Sequence, residues 1–315
     1  MIMGLNFNRE VLLLKIRQLI YRNQKENIDN TYHYTSPEGM LSILQNRTFR
    51  FTDCQFFNDK LEYIYIKKPL CKVVNELAPK MRNQHLVESV DLWLKDDYEV
   101  YVKERHLKER YYVFCTSTDN DSLNMWNYYI KNGKYQGYNI GISLRNIIEN
   151  LESLEYDDYE MWYGPVVYNI CEQEEMIFEL IRMLDEKLWE IKQEVNFDDY
   201  WNIYLQEAQE EIINTIELYR LFFKDSTFRN EKEYRFVLKL PMDIEETLDF
   251  VPGYQIKEGI ISPYIDIKFC EEILENITLS PMIEKEIAMK GLELFMYKAK
   301  YSRNIKFNVS DILIR

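Results

Sequence analysis

The sequence predicts an α+β fold. It reads as a mixed, mainly antiparallel, twisted β-sheet core with helical insertions at 61–110 and 172–222, in a single domain spanning 1–315. Three observations carry this expectation. Short β-rich stretches bounded by turn residues recur along the chain, among them Thr31–Thr35, Thr48–Thr52 and Tyr111–Ser117. Longer stretches of helical period separate them. The 315 residues are 46% hydrophobic, ample for a buried core, and only 9 Gly and 8 Pro argue against long flexible linkers.

The elements follow in order. Residues 8–22 carry Leu12, Ile16, Leu19 and Ile20 on one helical stripe. Thr31-Tyr32-His33-Tyr34-Thr35 reads as a strand, so His33 and Thr35 point one way and Tyr32 and Tyr34 the other. Ser36 suits an N-cap, Pro37 the first helical position, and Glu38 the positive helix end. Met40, Leu41, Ile43 and Leu44 give that helix its apolar side before it stops near Asn46. His33 thus stands at a strand mouth beside a helix N-terminus, where a small anionic ligand docks. The alternative is a half-buried histidine bonded to backbone. After the strand Thr48–Thr52, Asn58, Asp59 and Glu62 cluster as around a turn entering a helix. Residues 61–110 are mostly helical, with interruptions near Pro69 and Pro79. His85 with Glu88, and His106 with Glu109, lie one helical turn apart but complete no metal-ligand set.

In the strand Tyr111–Ser117, Val113, Cys115 and Ser117 share a face. Met125 to Tyr129 begins a short helix, and Gly137 to Leu144 is a strand in which Gly141 marks a close approach. A further strand is expected over 165–170. Residues 172–222 give two helices with acidic outer faces, an αα-hairpin turning near 196–199. From Glu231 the chain reads as a strand, with Tyr234, Phe236 and Leu238 facing the core and Glu231, Glu233 and Arg235 lining the other face. Two carboxylates so placed repel unless a cation meets them. Arg235 is one such cation, in a structural ladder; a substrate developing positive charge is another. Strands at 247–251, 277–280 and 306–314 and a helix at 283–296 complete the chain.

The formal net charge of −14 argues against bulk binding to nucleic-acid phosphates or anionic membranes. Five cysteines, odd in number and scattered without a CxxC pair, point away from a disulfide framework and toward a reducing cytoplasm. The sequence offers no apolar run suited to a signal peptide or a membrane span.

Several short motifs recur in one order: Tyr32-His33-Tyr34-Thr35 with Leu41 and Ile43-Leu44; Phe57-Asn58-Asp59 with Glu62; Cys115 with Ser117; and Met125-Trp126 with Tyr129. Gly137 with Ile140-Gly141, Tyr168, Phe223-Lys224, and Glu231 and Glu233 with Arg235 complete the set. Together they resemble the bacterial domain of unknown function 2971 family over nearly the whole chain after the first helix. Phe228 departs from that pattern, where Trp is usual, as does Leu279-Ser280-Pro281, where an aliphatic-Gly-Pro turn is usual. More loosely, the His-x-Thr strand, the Leu-x-Ile-Leu helix and the following strand resemble the start of ADP-ribosyltransferases.

The second resemblance implies an ADP-ribosyltransferase-like fold and an enzyme that cleaves NAD and transfers ADP-ribose to an acceptor, in the setting of a toxin or phage-defence effector. The catalytic roles it implies fall on His33, on Glu233 with Glu231, and on Ser117 or a nearby tyrosine. Thr35, Asn58 and Asp59 join the nucleotide-binding set, with Tyr34, Trp126 or Tyr129 to stack on a base and Lys224, Arg229 or Arg235 to meet the pyrophosphate. Tyr34 is the weaker stacking candidate because it opposes His33 on the strand. The partner implied is a small nucleotide, with an unspecified macromolecular acceptor. Two other readings stand beside this one. Asp59, Glu62, Glu231 and Glu233 are oxygen donors suited to Mg2+ in a nuclease. A non-catalytic binding or regulatory protein would use the Glu/Arg strand as a structural ladder.

Overall fold

The computed structural model describes residues 28–57, 60–94, 109–129, 136–154, 159–194, 198–257, 259–302 and 304–313. The expected helix at 8–22, and Asn58, Asp59 and His106, lie outside these residues. The chain divides into two compact units, one built from the described parts of 58–108 and 166–228, the other from 26–57, 109–165 and 229–315.

The second unit is α+β. Its strands are β1 (Asn30–Thr35), β2 (Thr48–Asp53), β3 (Glu109–Ser117), β4 (Tyr138–Ser143), β5 (Glu160–Pro165), β6 (Glu233–Pro241), β7 (Phe250–Lys257), β8 (Ile260–Lys268), β9 (Leu274–Leu279) and β10 (Lys306–Val309). They form an open sheet in the order β10-β9-β4-β1-β3-β2-β8-β7, with β6 joined to β3 and β5 to β6. All these pairs are antiparallel except β9–β10.

The centre of the sheet is forked. Along one edge β3 pairs with β6 through its whole length, from Glu109–Pro241 to Ser117–Glu233. Its other edge is shared: β1 meets it only at Tyr32–Ser117, and β2 only at Thr52–Val113 and Asp53–Tyr112. The helix Pro37–Asn46 links the two diverging strands and buries Met40, Ile43 and Leu44. Its start follows the sequence rules: Ser36 Oγ accepts from Gly39 N at 3.1 Å, Pro37 occupies the first turn, and Arg47 closes the helix in the left-handed region. Gly39 lets Thr35 Oγ1 come close: a Cβ would lie 2.2 Å from it, so a larger residue there would make the hydroxyl turn away.

Side-chain alternation gives the sheet one apolar face. Phe49 and Phe51 of β2, Phe114 of β3, Ile140 and Ile142 of β4 and Phe236 and Leu238 of β6 meet in a single core. Phe114 sits at its centre, with ring centroids 4.9 Å from Phe49, 5.5 Å from Phe51 and 6.2 Å from Phe236.

Two segments differ from the sequence expectation. The strand expected at 165–170 lies earlier, at Glu160–Pro165, and beyond it only Val167 makes a lone parallel bridge, to Phe223. The strand expected at 247–251 is a long hairpin, β7–β8, with Gly259 in its turn at φ +81°. Pro252 and Pro263 disguise it. Pro252 is tolerated because β7 is an edge strand, and Pro263 because it lies beyond the last β2–β8 pair, Thr52–Tyr264.

The first unit is helical: Lys60–Tyr65, Lys67–Leu77, Gln84–Leu94, Ile170–Glu194 and Asp198–Arg220. The expected pair of long helices packs Leu180, Leu184 and Leu188 of one and Ala208, Ile212 and Ile216 of the other into the interior. Pro69 falls in the first turn of its helix, where no hydrogen bond is lost. Asp185 reaches across to accept from the backbone N–H groups of Arg82 (3.2 Å) and Asn83 (2.9 Å), just ahead of the helix Gln84–Leu94. No helix among the described residues is long and apolar enough to cross a membrane.

Removing the Phe114 ring leaves a cavity among three aromatic partners. Phe114→Ala is expected to cost about 3–5 kcal/mol, read from the midpoint of urea unfolding against Leu41→Ala at an exposed helical position as control.

Candidate functional site

The fork explains His33. Where β1 and β2 part from β3, the backbone of Cys115 lies between the last pair to each strand. His33 Nδ1 lies 3.1 Å from the Cys115 carbonyl oxygen. A carbonyl can only accept, so Nδ1 carries the proton and Nε2 keeps the lone pair. The half-buried ring lies against Phe114, centroids 4.8 Å apart. Burial lowers its pKa from 6.5 to about 4, against the opposing pull of the Cys115 carbonyl. At neutral pH His33 is therefore a neutral donor fastening the fork.

The opposite sheet face is apolar along part of β3 and β6, where Tyr111, Val113, Val237 and Trp162 are buried, and polar at the end where β1 joins β3. Pairing fixes its membership: Tyr32 opposes Ser117, Ser117 opposes Glu233, and Cys115 opposes Arg235, so these five side chains share one side. Arg235 Nη2 donates to Glu233 Oε2 at 2.7 Å, with the two residues only 1% and 3% exposed. The Arg235 guanidinium also lies 5.5 Å from the Phe57 ring centroid. On the neighbouring strands the same face continues through Asn139 and Gly141 of β4 and Asn276 and Thr278 of β9. Gly141 leaves room for the Asn276 side chain, whose amide nitrogen would lie 2.5 Å from a Cβ there.

The approach to Glu233 is bent. The expected strand from Glu231 begins at Glu233; Glu231 ends a 3₁₀ segment, Ser226–Glu231, and Lys232 adopts φ 45°. A left-handed residue breaks the period-2 alternation, so Glu231 and Glu233 are not neighbours on one strand face. The kink is held by Thr118 N donating to Lys232 O at 2.8 Å and by a Lys232–Asp119 ion pair at 3.1 Å. Ser117 belongs to the same knot. Its hydroxyl donates to Glu231 O at 2.7 Å and accepts from Asp119 N at 3.1 Å, which commits its proton to the backbone.

Tyr34 and Trp126 form a small cluster with Met125, their rings edge-on at 4.7 Å. Tyr34 OH donates to Asp119 O at 2.7 Å and accepts from Ser122 N at 2.9 Å, and burial pushes its phenol pKa far up. Both rings are buried, so neither presents a face to a base in this conformation.

The structure thus brings together Ser117, Glu233 and Arg235 and sets Tyr34 and Trp126 on the same side. It does not bring His33 or Thr35 to them. Both lie on the apolar-core side of β1. Lys224 belongs to the helical unit, where its Nζ lies 3.7 Å from Glu62 Oε2 and 4.9 Å from the Phe228 ring centroid. Asn58, Asp59 and the Tyr129 side chain lie outside what is described. Among the described residues no three His, Cys, Asp or Glu side chains gather as a metal site. Tyr32 and Lys232 were missed from the sequence. Tyr32 had only its alternation with Tyr34 to signal it, and nothing local marks Lys232 as left-handed.

His33 gives an acid-side test. Its folded pKa is below its unfolded value, so the unfolded chain takes up the proton first. The contribution is whole above pH 6.5 and is lost as pH falls toward 4. Stability should fall by on the order of 2–3 kcal/mol through that window from this group. His33→Asn, which keeps a donor for the Cys115 carbonyl, should show a shallower decline in urea melts at pH 7, 5.5 and 4.5. Comparison of the chain with protein-family models, curated proteins and solved structures finds no match.

Proposed function

We propose that the chain is an ADP-ribosyltransferase-like enzyme that cleaves the nicotinamide–ribose bond of NAD and passes ADP-ribose to an acceptor. The observation that carries this reading is the buried Glu233 carboxylate, fixed by Arg235 at the polar end of a sheet face beside Ser117 and Tyr32. Sheet faces are usually covered by apolar side chains. A charged pair in a dry setting costs desolvation that packing alone does not require, and such groups are enriched at functional sites.

In the reaction the C1′–N bond breaks and its electron pair leaves with nicotinamide. A lone pair on the acceptor forms the new bond to C1′, and the acceptor's proton goes to solvent. Positive charge builds on the ribose in between, as in glycoside cleavage. A preorganised carboxylate stabilises that charge most strongly where water is excluded. Glu233, 3% exposed in this conformation, takes this role once the face over it opens to the ribose. Arg235 holds the carboxylate in place, Ser117 fixes the backbone on which it stands, and Tyr32 offers a phenol to a ribose hydroxyl. His33 stands outside this site as the fastener of the fork. The reducing cytoplasm is the compartment that the free cysteines suit, Cys71, Cys171 and Cys270 being exposed.

The 2.7 Å Glu233–Arg235 contact also favours a second reading, in which the pair is a structural ladder inside a binding or regulatory protein. Nicotinamide release from NAD, followed chromatographically with and without cell lysate, separates the two. In the enzyme, Glu233→Gln lowers release about 10²–10³-fold while the melting transition persists. In a ladder, wild type and Glu233→Gln alike release nothing, and the substitution is read only in stability.

A further inference from the structure

One carboxylate outside the group described above gathers three donors from two distant parts of the chain. Asp121 Oδ1 accepts from Trp126 Nε1 at 2.7 Å and from Ser310 Oγ at 2.7 Å. Asp121 Oδ2 accepts from the backbone N–H of Asp311 at 2.9 Å. The segment after β10 is held further by Ser310 N donating to Leu279 O at 2.9 Å, and Ile312 packs on the Tyr34–Trp126 cluster. The loop 118–122 that carries Asp121 is tied elsewhere to the catalytic side: Thr118 and Asp119 to Lys232, Asp119 to Ser117, and Ser122 to Tyr34. Asn139 Nδ2, beneath the loop, donates to Asn120 O at 2.7 Å.

Every residue of this loop is therefore bonded, and the bonds converge on two ends. One end is the kink that aims Glu233. The other is Asp121, the only acidic side chain among the described residues that joins Trp126 to the segment 310–312. Charge-assisted bonds are the strong kind, and a carboxylate accepting three of them fixes its own backbone. If the Asp121 clasp opens, Trp126 loses its indole partner and the loop keeps only its far anchors.

We propose that Asp121 is a positioning residue: by clasping Trp126 and Ser310–Asp311 it holds the loop 118–122 in the one arrangement that keeps the Ser117–Lys232 knot, and with it Glu233, in place. This rests on the NAD-cleaving reading for its catalytic consequence, and on none of it for the clasp itself.

The test uses the full chain with Asp121→Asn and, as a milder variant, Ser310→Ala. Asn keeps the size but has one acceptor oxygen and no charge, so it cannot accept from Trp126 and from Asp311 N–H together. The emission of Trp126 is isolated as the difference between each protein and its Trp126→Phe counterpart. Asp121→Asn should shift that difference spectrum, because the charged acceptor on the indole N–H is lost. It should also speed amide exchange in 308–313 about tenfold, the loss of one charged hydrogen bond. Ser310→Ala should do the same to a smaller degree. In nicotinamide release, Asp121→Asn should lower kcat about tenfold with KM for NAD within about twofold, because the bound state is unaltered and only the aim of Glu233 is lost. A folded Asp121→Asn whose Trp126 emission and exchange match wild type overturns the clasp. A shifted emission with unchanged kcat overturns the positioning role. If wild type releases no nicotinamide, the NAD reading falls, and emission with exchange alone decides the clasp.

Discussion

The sheet unit depends on a competition for one edge of β3. Two strands, β1 and β2, reach for the same row of backbone groups, and each obtains only its end. A peptide group left between them in a buried setting must find a partner or cost stability. His33 supplies one from its ring, and the burial that makes the bond strong also keeps the ring neutral. The helix Pro37–Asn46 can then span from one arm to the other with its apolar side down. Phe114, directly beside the fork, joins both arms to the trunk of β3 and β6.

The two sheet faces answer different demands. The apolar face satisfies packing, and its aromatic stack on Phe114 reads as an ordinary core. On the other face, at the end where β1 joins β3, a buried ion pair, hydroxyls engaged with backbone, and asparagines on adjacent strands replace the hydrocarbon that Val113, Trp162 and Val237 supply farther along. Polar groups in such a place must be satisfied together or not at all. This accounts for the density of bonds around Ser117, Asp119 and Lys232, where nearly every polar atom serves to orient another.

The local rules were legible in the sequence. The Ser36–Pro37 cap, the strands β1 to β4, the helical hairpin and the alternation of Tyr234, Phe236 and Leu238 all follow from residue type and period. The site was legible only strand by strand. Alternation says which residues of β1 share a face, but not which of its faces meets which face of β6. That parity is set by register, and here Tyr32 rather than His33 stands opposite Ser117. A slip of one residue would have put His33 beside Glu233. The left-handed Lys232 and the proline-bearing hairpin β7–β8 were hidden for a related reason. Each is permitted by its tertiary place, an anchoring carbonyl bond in one case and a sheet edge in the other, which no local pattern records.

The division of the chain also has a consequence for the order in which the protein is made. The described part of the helical unit uses two separate stretches and the sheet unit three, so neither can be cut out as one continuous piece. The stretches nonetheless emerge in a definite sequence. The last helical stretch ends at Phe228, shortly before β6 begins at Glu233. Strands β1 to β5 must therefore wait, with the whole length of one β3 edge unpaired, until the helices have been synthesised. The two long helices form through local contacts and can fold while the chain is still growing, whereas pairing Ser117 with Glu233 closes a very long loop. The nascent protein thus carries an exposed strand edge while residues 118–232 are made, and β6, with the Glu233–Arg235 pair, arrives late to cover it.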